Sequence, residues 1–213
     1  MDILIISGGK IDIKFLEKIL ESNYNSIIAV DKGLEALYKL NKIPDYIVGD
    51  FDSVSKEALE FYKNKNIPIN EYNSEKDFTD TELGLELAIN LNPNKITIVG
   101  AIGTRFDHTL ANVHILTKCL EKNIECEIVD LYNKIYLINH KKEIEREKSY
   151  RKFFSIIPLT SEVQGISLKG FKYPLENYNL SIGKSLGISN EIVGNKASVE
   201  IKSGILIAIE SKD

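Results

Sequence analysis

The hydrophobic period changes once along this chain, and that change restricts its fold more than any other feature. Up to about residue 131, short runs rich in Ile and Val alternate with stripes at helical spacing. The runs cover residues 3–7, 26–31, 46–50, 95–101 and 126–131, with a weaker one at 67–72. Continuous apolar runs of this length read as strands buried on both faces. Between them Leu34, Leu37, Tyr38 and Leu40 share one helix face, as do Leu59 and Tyr62, then Leu83, Leu87 and Ala88, then Leu110, Val113, Thr117 and Leu120. Strand and helix in alternation predict a parallel sheet flanked by helices, an α/β domain with ligands bound beyond the carboxyl ends of its strands. From "YNKIYLINHKKEIEREKSYRKFFSIIPL" onward the period becomes two. "VQGISLKG", "YNLSIG", "ASVEIKSG" and "ILIAIES" continue it, broken by Gly, Asn and Pro, which predicts a smaller antiparallel β-sandwich. The expected domains are 1–135 and 140–213, with the boundary near 133–145.

Composition narrows the partners. Of 213 residues, 43% are hydrophobic and 27% charged, enough apolar material for a packed core. A net charge of −4 without a long basic run disfavours nucleic acid. The start "MDILIISGGK" has no basic n-region, and no 18-residue apolar span follows, so the expectation is a cytoplasmic protein without a membrane segment. Cys119 and Cys126 match no zinc or redox spacing and read as reduced core thiols.

Acidic residues gather where strands end and helices begin. Asp31 closes the second run; in "IVGDFDSVS", Asp50 and Asp52 close the third. On an extended segment, side chains two apart face the same way. Two such carboxylates suit a hard cation such as Mg²⁺, and Phe51 between them should point into the core. The plainer reading is an Asp turn followed by a helix capped by Ser53 or Ser55. Thr79-Asp80-Thr81-Glu82 fits a capping box, with Thr79 capping and Glu82 reaching back, so Asp80 could simply complement a helix dipole. That does not account for Lys76 and Asp77 beside it.

"GAIGTRFDH", Gly100 to His108, places two glycines, a fork-shaped cation and an acid at a strand-to-helix turn, an arrangement that suits phosphate. Asp107 could be only the helix cap, and His108 only a hydrogen-bonded structural histidine. His114 and His140 read as structural. "GKS" at Gly183–Ser185 is no phosphate loop, since Tyr178 stands where that loop needs Gly, and "SGGK" at Ser7–Lys10 fails as well.

D-K-G at Asp31–Gly33, G-D-F-D-S at Gly49–Ser53, K-D-x-T-D from Lys76 to Asp80 and G-x-x-G-x-R-x-D-H from Gly100 to His108, in that order, resemble thiamine pyrophosphokinases. The tail "GFKYPLENYNLSIGKSLGISNEIVG" is similar to the bacterial members. The resemblance implies transfer of the terminal pyrophosphoryl group of ATP to the hydroxyl of thiamine by a homodimer. It implies Mg²⁺ on Asp50, Asp52 and Asp80, with Asp31 a further active-site acid. Lys76, Asp77, Gly103, Arg105, Asp107 and His108 fall on the nucleotide side, with Arg105 also stabilising transferred charge. Ser189 and Asn190 match a pair near thiamine, in a sandwich domain that contributes to the thiamine site and to dimerisation. Animal members stack a Trp on thiamine; this chain has no Trp, so another ring takes that place or the pocket is more open. Rival readings are another D-x-D metal-dependent transferase and a non-catalytic nucleotide- or thiamine-binding module.

Overall fold

The structure, a computed structural model, describes residues 1–65, 67–71, 77–149 and 152–213. It divides into two units, residues 1–131 and 132–213, just ahead of the expected boundary.

The first unit is a parallel sheet in the order β4-β3-β2-β1-β5-β6. Its strands are β1 (Asp2–Ile6), β2 (Ser26–Val30), β3 (Tyr46–Gly49), β4 (Ile69–Glu71), β5 (Lys95–Val99) and β6 (Glu125–Val129). β1 lies centrally, with Ile5 opposite Ile28 on one side and Ile98 on the other. Ile3, Leu4, Ile5 and Ile6 are all fully buried, as a strand covered on both faces requires. The weak run at 67–72 forms the three-residue edge strand β4, and its last residue lies outside the described residues.

Among the described residues five helices connect the strands: α1 (Ile13–Leu20), α2 (Gly33–Lys39), α3 (Lys56–Lys63), α4 (Asp80–Asn90) and α5 (Phe106–Glu121). No apolar stripe announced α1; it is two turns long and fully buries only Leu16. Asn41, Asn92 and Asn123 follow the ends of α2, α4 and α5 at φ of 51°, 52° and 55°. Asn tolerates this left-handed conformation and so ends three helices without glycine.

Two expected helix faces are rotated. In α4 the buried residues are Thr81, Gly84, Leu85, Ala88 and Ile89, while Leu83 and Leu87 are half-buried. Gly84 explains this: a Cβ there would lie 2.5 Å from Val30 Cγ2, so the helix approaches β2 along its glycine. In α5 the buried face is Asn112, Val113, Leu116 and Cys119, leaving Leu110 exposed, and His114 is exposed rather than on an apolar stripe. Cys119 and Cys126 are buried and unpaired as disulfides, and burial pushes the Cys126 thiol up.

The second unit is all antiparallel. One sheet runs β7 (Asn133–Ile138), β13 (Leu206–Ser211), β9 (Phe153–Pro158); the other runs β11 (Leu175–Ser181), β10 (Glu162–Lys169), β12 (Lys196–Glu200), β8 (Lys142–Glu145). Inward residues of both sheets share one core, in which Phe154 and Phe171 stack at 4.9 Å beside Val163, Leu180 and Val199. Among the described residues no helix is long and apolar enough to cross a membrane.

Gly100, directly after β5, holds the exits of β1 and β5 together. Its φ is 75°, and a Cβ would meet the Ser7 carbonyl oxygen at 2.4 Å. That oxygen is backbone and cannot swing aside as a side-chain end would. Gly100→Ala is expected to destabilise the first unit by about 3 kcal/mol. Urea unfolding followed by circular dichroism would read this as a midpoint lowered by more than about 1 M; a shift under about 0.2 M would refute it.

Candidate active site

A cavity of about 750 Å³ opens at the carboxyl edge of the parallel sheet, within the size range of ligand pockets. Its place follows from connectivity. The chain runs outward from β1 through β2 to β4, then resumes on the other side with β5 and β6, so the loops after β1 and β5 diverge. That divergence is where open parallel sheets bind ligands. The Ser7 amide donates to the Val99 carbonyl and the Gly9 amide to the Gly100 carbonyl, each at 2.8 Å, tying the two exits into one wall.

Asp31 forms the wall after β2. Its backbone has φ of 45°, and its amide donates to the Val48 carbonyl at 2.8 Å, fixing the turn against β3. One carboxylate oxygen, Oδ2, accepts from the Ser53 hydroxyl at 2.7 Å. The other, Oδ1, is buried and has no partner among the described residues. A buried carboxylate oxygen is costly unless a cation or a donor meets it.

The loop carrying Asp50 and Asp52 is not the extended segment its spacing suggested. Phe51 has φ of 63°, and the Asp52 amide donates back to Asp50 Oδ1 at 3.1 Å, so the chain turns between the two acids and they do not stand side by side on one face of a strand. Phe51 is 7% exposed, in the core as expected. The cap of α3 is Ser55, whose Oγ accepts from the Ala58 amide at 3.3 Å; Ser53 is spent on Asp31.

At α4 half of the expected capping box forms. Thr79 Oγ1 accepts from the Glu82 amide at 3.2 Å. Glu82 does not reach back; its carboxylate pairs with Lys118 of α5 at 2.8 Å, and Glu86 joins the same ammonium. Asp80, the first residue of α4, lines the cavity. Asp77 is exposed and off the wall, and Lys76 lies outside the described residues.

Gly103, Arg105 and His108 line the cavity as well. Asp107 is not the helix cap: Arg105 occupies that position, and Asp107 sits inside the first turn of α5. Arg105 donates through Nε at 3.3 Å and a terminal nitrogen at 2.6 Å to the two Asp107 oxygens. A guanidinium carries five N–H donors, so the fork keeps donors for a ligand. Both side chains are largely exposed, and Arg105's hydrogen bonds hold the Asp107 carboxyl below the usual carboxylate range.

Among the predicted residues the wall thus carries Asp31, Asp80, Gly103, Arg105 and His108, while Asp50, Asp52, Asp77 and Asp107 stand outside it. No three His, Cys, Asp or Glu side chains among the described residues stand close enough together to hold a metal ion, so Asp50, Asp52 and Asp80 are not gathered into one cluster. Sequence reasoning missed Ser7, Glu35, Thr81 and Asn112. Ser7 and Thr81 are buried and share a hydroxyl hydrogen bond at 2.6 Å, and buried Asn112 donates to the Ala101 carbonyl at 2.8 Å, fixing the glycine loop to α5. A polar Asn within an apolar helix face was the available signal.

In the second unit Ser189 adopts φ of 58° and its amide donates to Ser155 Oγ at 2.9 Å. Asn190 is buried. Its Oδ1 accepts from the Tyr173 and Glu191 amides, and its Nδ2 donates to the Tyr173 carbonyl at 2.8 Å. The amide is thus engaged in holding the backbone of Tyr173, whose ring is 60% exposed.

Comparison with known proteins matches both units. Residues 17–128 fit the family model "Thiamin pyrophosphokinase, catalytic domain", and residues 139–206 fit "Thiamin pyrophosphokinase, vitamin B1 binding domain". The chain is 35% identical over 187 residues to thiamine pyrophosphokinase from Bacillus subtilis, covering 87% of each. A crystal structure of thiamine pyrophosphokinase from Bacillus subtilis superposes with a TM-score of 0.90 at 31% identity over 100% of both chains. One from Geobacillus thermodenitrificans gives 0.87 at 29% identity, covering 100% of this chain and 98% of that one.

The Arg105–Asp107 pair yields a pH prediction. A carboxyl lowered by folding favours the folded state above its ordinary range, and that contribution is lost as pH falls through the lowered value. Arg105→Gln should therefore raise the Asp107 titration midpoint measured by carboxyl-carbon NMR. An unmoved midpoint would show that the guanidinium does not set it.

Proposed function

The chain belongs to the thiamine pyrophosphokinase family, and from that premise we propose that it transfers a pyrophosphoryl group from ATP to the hydroxyl of thiamine, releasing AMP, with Mg²⁺ required. The observation that carries this reading is the buried Asp31 Oδ1, without a partner among the described residues, in the wall of a cavity at the sheet's switch point. The donor set there is hard oxygen: Asp31 and Asp80 in the wall, Asp50 and Asp52 on the loop that Ser53 ties to Asp31. Such donors fit Mg²⁺. We assign the ion to Asp50, Asp52 and Asp80, with Asp31 completing the acidic group; when bound it supplies neutralisation of phosphate charge.

The chain's own groups do the rest. The wall tied through Ser7–Val99 and Gly9–Gly100 gives the nucleotide a fixed surface, and positioning is the main requirement of phosphoryl-type transfer. Arg105, with Lys76, meets negative charge that grows as the bond between the β-phosphorus and the bridging oxygen breaks. Gly103, Asp77, Asp107 and His108 belong to the nucleotide side, Asp107 by orienting the Arg105 fork. The thiamine oxygen forms the new bond to the β-phosphorus, its proton passes to a carboxylate of the acidic group, and AMP keeps the bridging oxygen. Ser189 and Asn190 serve thiamine from the second unit, Asn190 through Tyr173, whose exposed ring supplies an aromatic face in a chain without Trp.

We further propose a cytoplasmic homodimer. Ile182, Leu186, Ile188 and Val193 are large apolar side chains exposed on the second unit, which supports association. Sedimentation equilibrium should give twice the chain mass of 24.1 kDa; a monomer at micromolar concentration would refute it.

The direct test is an assay with ATP, Mg²⁺ and thiamine, separating nucleotide products. AMP formed in step with thiamine diphosphate is expected; ADP, or binding without product, would overturn the reading. Asp52→Asn should keep the circular dichroism spectrum and lose turnover about 100-fold. Wild-type turnover at low Mg²⁺ in that variant would remove Asp52 from the ion site.

A further inference from the structure

We infer that Glu35, outside the residues to which the family resemblance points, is a positioning residue for the Asp50–Asp52 loop. The loop between β3 and α3 hangs on the start of α2 by two rungs. Ser53 Oγ donates to Asp31 Oδ2 at 2.7 Å, and the Ser55 amide donates to Glu35 Oε1 at 2.6 Å. Asp31 stands just ahead of α2 and Glu35 in its first turn, and each holds one rung. Ser53 and Ser55 are two apart on the loop. Asp50 and Asp52 precede the rungs, and the Asp52 amide donates to Asp50 Oδ1. Phe51 is buried, and its φ of 63° turns the chain between the two acids.

Glu35 suits this task chemically. Ser55's hydroxyl and amide both donate to it and hold its carboxyl below the usual range, so it is ionised at neutral pH. Hydrogen bonds to an ionised acceptor are about twice as strong as neutral ones. Ser55 at the same time caps α3 through Oγ, so Glu35 fixes both where α3 starts and where the acid loop ends. The consequence is a link from α2 to the acids that does not require Glu35 to touch substrate.

This inference rests on the reading that Asp50 and Asp52 hold the divalent ion. The test measures the Mg²⁺ concentration for half-maximal activity, the KM for thiamine, and Mn²⁺ binding by electron paramagnetic resonance in the absence of substrates. Glu35→Ala should weaken Mn²⁺ binding and raise half-saturating Mg²⁺ by about 10-fold, while KM for thiamine changes less than about 2-fold. Glu35→Gln keeps an oxygen acceptor and should stay within about 3-fold of wild type in Mn²⁺ binding. A purely structural role would lower the active fraction without moving either metal constant, and that result would overturn the inference. So would equal metal losses in Glu35→Ala and Glu35→Gln. Should Glu35→Ala fail to fold, Ser53→Ala breaks the other rung and must show the same metal shift; an unchanged constant there overturns the inference. A wild-type protein that binds no Mn²⁺ and needs no Mg²⁺ would overturn the functional reading beneath it.

Discussion

The backbone of β1 is hydrogen-bonded to β2 on one side and to β5 on the other, and the site is built from what leaves those three strands. All three are parallel, so their carboxyl ends share one edge, and the chain has no choice but to deliver residues 7–11, Asp31 and residues 100–105 to the same place. The close approach of Gly100 to Ser7 sets how near two of those exits come. A parallel sheet with another strand order would spread the same motifs along that edge.

Around that edge the acids are managed one by one. Asp107 is held by Arg105, Glu82 and Glu86 by Lys118, Glu35 by Ser55, and one oxygen of Asp31 by Ser53. These partners orient the carboxylates. Asp31 Oδ1 is the exception, buried without a partner among the described residues. An unsatisfied buried group costs roughly 1–3 kcal/mol, more when charged. A fold bears such a cost where a ligand repays it.

Much of this was legible in the residue order. The strands came through because parallel strands buried on both faces must be apolar throughout, as residues 3–6 are. The second unit came through because a sheet with one face inward alternates, as Ala197 and Val199 do in β12. Short α1 did not, since one fully buried leucine makes no stripe. The α4 face was misread because Gly84 carries no hydrophobic signal, though it lies closest to the sheet. The acids were found as residues but not as an arrangement: the turn at Phe51 depends on burying its ring, and the diversion of Glu82 depends on Lys118, 36 positions away.

The sequence by itself determined the two periods, the division of the chain near residue 132, the glycine and acid motifs and their order, because local pattern and composition carry those. Only the tertiary structure decided which acids share a wall, that Ser53 serves Asp31 while Ser55 caps α3, and that Glu35, Thr81 and Asn112 join the site. Those outcomes depend on strand order and on the closeness of loops distant in sequence, and hydrogen bonds across 20 or more residues leave no mark in any local window.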